Sequence, residues 1–363
     1  QPRDEQSLPR PKVKQVFDDR YRIIAKLGYG AYSTVWLAWD GRSYPTRSVL
    51  ISAPVADLKY RANEYTSLKV SVRIDNNNAE PSPALNEINM LQRLKQFADK
   101  DHPGLDFTRL ARDIFETESP AGCHHCIAYK PHGNCVRTLQ EAFPNAMIPK
   151  TLESQNPSLP ITSSIYGAMP IVVYKSRPTM LALSGHPILT DYGQMRLVEG
   201  CMNQDWWMSD LYRAPEVLLH LPWGFPADIW SIGIMTLELL EGKNLFDPID
   251  HVHGQYVLPL ALAQYIGYLS PPPLNIIQNS PLFSAYFDAQ GKAHPSPQSA
   301  PILTQTITGN WVSELPIPKT SLKDFVTTIP PGEEKDQFLR FIRKILTWDP
   351  EVRTLDEWLM RPF

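Results

Sequence analysis

No stretch of the 363 residues is apolar for long enough to cross a membrane, and the polar opening QPRDEQSLPRPKVKQ lacks the layout of a secretion signal. Four cysteines are too few for a disulfide scaffold. These absences point to a reducing intracellular compartment, cytoplasm or nucleus, with no membrane partner. Neither sign of charge dominates: 35 Lys and Arg against 38 Asp and Glu leave a formal charge of −3 and a pI near 6.3. That balance argues against direct nucleic-acid binding. No period of 20 to 50 residues recurs, which argues against solenoids and propellers. Aspartate is missing altogether between Asp113 and Asp191. The chain opens on Gln and not Met, so the native N-terminus is expected upstream.

What is abundant is proline, 35 residues or nearly double the usual ~5%. It concentrates in residues 131–187 and 271–331, which excludes long helices there. Residues 21–39, YRIIAKLGYGAYSTVWLAW, read as a β-hairpin with a small-residue tip carrying Gly28 and Gly30. Side chains at those positions would keep backbone amides away from a bound phosphate. EYTSLKVSVRI (64–74) reads as a strand containing Lys69. SPALNEINMLQRLKQF (82–97) reads as a helix capped by Ser82, with Pro83 in its first turn. Leu85, Ile88, Leu91 and Leu94 mark its expected buried stripe, with Glu87 between them. In PILTDYGQMRL an aspartate, an aromatic and a glycine follow a β-like run, an arrangement that suits a magnesium ion beside a nucleotide. Residues 227–241 are apolar on nearly every face, as in a helix central to a core, and Gly242 supplies a stop. Cys123, Cys126 and Cys135 stand among His124, His125 and His132. Their spacing fits no zinc ribbon or knuckle, and on a strand Cys123 and Cys126 face opposite sides.

Taken in order, these segments resemble a eukaryotic-type protein kinase. GYGAYSTV has the form G-x-G-x-x-S-x-V and is similar to the kinase glycine-rich loop, with Ser33 where a third glycine usually stands. Asp191-Tyr192-Gly193 resembles the DFG element, Ala214-Pro215-Glu216 the APE element, and Asp228, Trp230 and Gly233 the central-helix signature. The resemblance implies an α+β, bilobal fold. Residues 1–20 would be an extension, 21–130 a small β-rich lobe with an insert at about 41–62, and 131–363 a helical lobe with inserts at about 153–180 and 291–309. It also implies ATP and Mg2+ as cofactors. Leu27, Gly28, Tyr29, Gly30, Ala31 and Ser33 would cover the phosphates, Val35 and Ser67 would line the base, and Lys130 to His132 would hold adenine through backbone groups. Lys69 would contact the phosphates, oriented by Glu87 eighteen residues later, and Asp191 would hold the metal. Lys59 competes for that role, but its spacing to Glu87 is ten residues too long. Glu216 would pair with Arg353, and Asp228 would bond the catalytic-loop backbone.

Within kinases, GYGAYSTVWLAWD and the long segment after GKNLFDP are similar to SR-protein kinases of the CMGC group, in fungal form. This implies a monomer that phosphorylates protein serine or threonine in Arg/Ser-rich segments. Two departures stand against it. The arginine that the group often carries three residues before Arg213 is here Asp210. The catalytic loop H-R-D-x-x-x-x-N is absent with its aspartate base, and prolines 131, 144, 149, 157 and 160 exclude the long helix that precedes it. Two alternatives to an active kinase therefore stay open: a pseudokinase or partner-binding module without turnover, and a defective splice or gene-model product.

Overall fold

From Thr34 on, strand β3 (Ser33–Asp40, STVWLAWD) alternates fully and partly buried positions, because successive side chains on a strand point to opposite faces of the sheet. It sits inside a six-stranded antiparallel sheet of order β1-β2-β3-β4-β6-β5. The other members are β1 (Val16–Phe17), β2 (Tyr21–Tyr29), β4 (Tyr65–Ser71), β5 (Ala111–Ser119) and β6 (Gly122–Tyr129). Helix α1 (Pro83–Phe97) lies between β4 and β5 in sequence. This is a computed structural model, and it describes residues 15–41, 65–72, 82–97, 101–119, 122–133, 135–141, 143–148, 187–198, 202–288, 293–295, 305–307 and 309–353. The expected inserts at about 41–62 and 153–180 lie outside the described residues, apart from Gly41.

Two compact units divide the chain: residues 1–136 with 154–195, and residues 137–153 with 196–363. The sequence places that boundary near residue 130. Residues 187–195 go with the first unit, where the Leu189 N–H donates to Phe107 O at 2.7 Å and Leu189 O accepts from Arg109 N at 3.0 Å. Part of the expected extension also joins the sheet. Val16 and Phe17 pair with Arg22 and Tyr21, and Phe17 is buried. Arg20 then clasps Asp40 and Asp113 at 2.6–2.7 Å.

The buried face of α1 is Ala84, Glu87, Ile88, Met90 and Leu91, while Leu85 and Leu94 are only half-buried. A stripe read at every third residue fails for a geometric reason. Each step of three falls about 60° short of a full turn, so the row winds off the buried face.

The second unit takes in α2 (Val136–Glu141) from its second residue on, and α3 (Pro215–Leu218), α4 (Pro226–Glu241), α5 (Leu258–Leu269), α6 (Leu274–Ile277), α7 (Phe283–Tyr286), α8 (Leu322–Phe325) and α9 (Glu333–Ile345). Short strand pairs decorate it: β7 (Ile249–Asp250) with β8 (Gln255–Tyr256), and β9 (Phe287–Asp288) with β12 (Asn310–Trp311). In the segment expected to be an insert, β10 (Ala293–Pro295) pairs with β11 (Gln305–Ile307). Trp230, Phe246 and Tyr265 pack together in its core, the last two 4.2 Å apart between ring centroids. Gly242 ends α4 with φ 68°, and a Cβ there would stand 2.1 Å from Asn145 O. Only glycine fits that approach.

Helix α4 is not buried all round. Trp230, Ile234 and Leu237 are sealed in the core, but Asp228, Ile232 and Met235 form an exposed stripe at helical spacing. The Asp228 carboxylate has no hydrogen-bond partner among the described residues, and neighbouring protein raises its pKa by displacing water even though the side chain stays exposed. Where proline spacing argues against a long helix, the described residues offer six-residue α2 and a turn at Pro144. These reach the C-terminal end of α4: Gln140 Nε2 donates to Glu238 O at 3.0 Å, and Ile148 N donates to Leu239 O at 2.9 Å. Among the described residues no helix is long and apolar enough to cross a membrane.

Candidate functional site

The turn between β2 and β3 is closed by Gly30 N donating to Ser33 O at 2.8 Å. One step back, the ladder shifts register between Lys26 and Gly28, at Leu27, which bends the hairpin tip. A Cβ on Gly28 or Gly30 would meet nothing within 4 Å, so the tip stands over open space that side chains would otherwise enter. Tyr29 and Ala31 are exposed, whereas Ser33 is buried and Val35 half-buried. Val35 sits opposite Gly28 on one side and Lys69 on the other, and Ser67 faces Leu37 and Tyr129. The hairpin tip, Lys69, Glu87, Asp191 and Gly193 line a cavity of about 130 Å³.

Inside it, Lys69 Nζ reaches Glu87 Oε2 at 2.6 Å and Asp191 Oδ1 at 3.2 Å. Glu87 is buried, and a buried carboxylate is costly unless paired and hydrogen-bonded. Its second oxygen accepts from Tyr129 OH at 2.7 Å. Burial, and then the Glu87 charge, push the Tyr129 phenol far above its ordinary range. Asp191 is 75% exposed and left-handed at φ 69°, ψ 68°, so its carboxylate stays open to a cation. Among the described residues no cluster of three or more His, Cys, Asp and Glu could hold a metal. One carboxylate still suits magnesium, which binds through one or two carboxylates plus substrate phosphates.

Three contributors, Asn86, Arg109 and Tyr129, carry no mark in the sequence reading. Asn86 Nδ2 donates to Gly193 O at 3.0 Å and to Met195 O at 2.9 Å, fastening the Asp191 segment to α1. Gly193 itself packs so close that a Cβ would sit 3.1 Å from Pro83 O. Tyr192, the buried aromatic, donates its OH to Leu189 O at 2.7 Å and accepts from Arg109 N at 3.2 Å. Arg109 lies 4.4 Å over the Tyr129 ring and donates Nη2 to Lys130 O at 3.2 Å. Burial lowers the Arg109 pKa, and burial with the Arg109 and Lys130 charges lowers that of His132. The polar step just before Glu87 is the only sequence signal for Asn86; Tyr129 is legible only as part of an apolar strand.

Cys126 is fully buried and Cys123 exposed, on opposite faces of β6. In the second unit Glu216 and Arg353 form a sealed fork, Nη1 to Oε1 at 2.6 Å and Nη2 to Oε2 at 2.7 Å. Asp210 accepts from Arg213 Nη2 at 2.8 Å.

Residues 175–363 match the protein kinase domain family. The chain belongs to that family. A serine/threonine protein kinase of Aspergillus fumigatus is 28% identical over 389 residues, covering 96% of this chain and 86% of that protein. Serine/threonine-protein kinase ppk5 of Schizosaccharomyces pombe is 26% identical over 350 residues, 95% of this chain and 36% of that protein. Dual specificity protein kinase CLK4 of Homo sapiens is 33% identical over 153 residues, 42% of this chain and 27% of that protein. With such relatives the protein is a kinase of the CMGC type, and its β-rich first unit and helical second unit are those of the bilobal α+β kinase fold. The kinase match starts inside the segment where a catalytic loop is expected. Residues 175–190, KSRPTMLALSGHPILT, contain no Asp, Glu or Asn.

Proposed function

We propose that this kinase-family chain binds a magnesium nucleoside triphosphate, ATP by family, in an SR-protein-kinase-type site, and transfers its phosphoryl group slowly or not at all. The observation that carries this reading is the assembled Lys69–Glu87–Asp191 constellation, joined to a sequence without an acid from Ser154 to Thr190. Lys69, held by Glu87, neutralises phosphate oxygens. The open tip at Gly28 and Gly30 brings backbone amides to them. Asp191 would hold one magnesium ion, whose chemistry is to neutralise charge on the transferred group. Val35 and Ser67 flank the base, and Lys130 to His132 hold it through backbone groups.

A serine hydroxyl from an Arg/Ser-rich substrate would meet no general base. Losing general-base help costs about 10²- to 10⁴-fold in rate. The lack of a second metal-holding asparagine lowers it further. Thermal shift with and without MgATP, run beside radiolabel transfer to an Arg/Ser peptide, tests both halves. Stabilisation by MgATP with little or no transfer is the expected result. Transfer at ordinary kinase rates, about 1–100 s⁻¹, would overturn the chemistry, and no stabilisation would overturn the nucleotide site.

A further inference from the structure

Resting on the reading just given, in which the hinge residues Lys130 to His132 present backbone groups to a base, one acceptor at that edge is already engaged. Lys130 O takes a hydrogen bond from Arg109 Nη2 at 3.2 Å. The same guanidinium lies over the Tyr129 ring, Cζ 4.4 Å from its centroid, and its Nη1 is 3.5 Å from Thr190 Oγ1. Its Nε is buried without an acceptor, and no carboxylate pairs with it among the described residues. Arg109 is therefore a cation with donors to spare.

A free hinge carbonyl welcomes an amino group. A carbonyl already bonded by a guanidinium keeps a second lone pair, but the guanidinium lays its own donors along the same edge. Adenine presents the N6 amino group, itself a donor, beside N7. A 6-oxo purine presents O6 and N7, two adjacent acceptors, and an arginine fork pairs with both. We propose that Arg109 makes the base site prefer 6-oxo purines, guanine or hypoxanthine, over adenine. The effect works through unmatched hydrogen bonding: an amino group facing the guanidinium leaves two donors opposed and desolvated, whereas O6 satisfies one of them.

Calorimetric titration of the full chain with the magnesium salts of ATP and ITP reads this directly, because the two bases differ only at the 6 position and the N1 proton. The native chain should bind ITP about 10-fold tighter than ATP. Arg109→Met keeps an unbranched side chain of similar reach and removes every donor. It should free Lys130 O for the amino group and bring the ITP-to-ATP preference to unity or below. If that variant loses its cooperative melt, Arg109→Lys, with a single point donor, should retain only part of the preference. Tighter binding of ATP by the native chain, or a ratio unchanged by the substitution, would overturn the role of Arg109 and leave the nucleotide site standing. Failure of ATP, ITP and magnesium tripolyphosphate alike to bind native chain and variant would instead remove the nucleotide site, and this proposal with it.

Discussion

Two of the glutamate ion pairs among the described residues have the same length and opposite character. Lys69 and Glu87 meet at 2.6 Å, with the lysine 21% exposed and a third group, Asp191, competing at 3.2 Å. Glu216 and Arg353 meet at 2.6 Å with exposures of 2% and 0%. Arg353 spends its remaining donors on Thr347 O and Pro226 O, over the Trp230 ring. Lysine is a point charge on a flexible stem, so it can pass between a glutamate, an aspartate and a phosphate. The arginine fork matches one carboxylate in a fixed plane. One pair is made to be shared, the other to stay shut.

The largest test of that contrast is Arg353→Met, which strands Glu216 as a buried charge. Urea unfolding should show a loss of about 3–5 kcal/mol, mostly regained when Glu216→Leu is added. A loss under about 1 kcal/mol would erase the distinction between the pairs. Lys69→Met should do the reverse. Glu87 keeps the Tyr129 hydroxyl, so the fold survives while MgATP affinity drops by about 10- to 100-fold, the worth of a charged hydrogen bond. Titration and melting of the same sample separate the two effects. Asn86→Asp sharpens the picture within the first unit by turning two donated bonds into repulsion between a carboxylate and the Gly193 and Met195 carbonyls. The affinity gained by adding magnesium to the nucleotide should fall about 10-fold, with magnesium-free binding unchanged. A fall in both together would show that Asn86 only holds α1 in place. Smallest of all, Tyr129→Phe should cost about 1 kcal/mol of stability by stripping one bond from Glu87.

The exposed stripe on α4 belongs to the same contrast. The apolar make-up of residues 227–241 suits a helix covered on all sides, yet Ile232 is 38% exposed and Met235 42%. Composition records which side chains a helix carries, not whether another element arrives to cover them. The α1 stripe shows a different lapse. Ile88 and Leu91 are buried as read, but Ala84 and Glu87 share their face in place of Leu85 and Leu94, since burial follows the 3.6-residue turn more closely than hydrophobicity alone. At β1 the chain joins the sheet through only two residues, too short a run for alternation to register.

By itself the sequence determined the local units: a glycine-tipped hairpin, a lysine strand, a glutamate helix, an Asp-Tyr-Gly turn, and the absence of any acid where a base should stand. These are properties of residue type and short spacing, written directly in the chain. Tertiary structure alone decided that Tyr129 would hold Glu87, that Asn86 would grip the Asp191 segment, and that Arg109 would reach the Lys130 carbonyl. Two of those three partners are backbone oxygens. Such oxygens are chemically alike at every residue, so no letter of the sequence can announce which one a distant side chain will find.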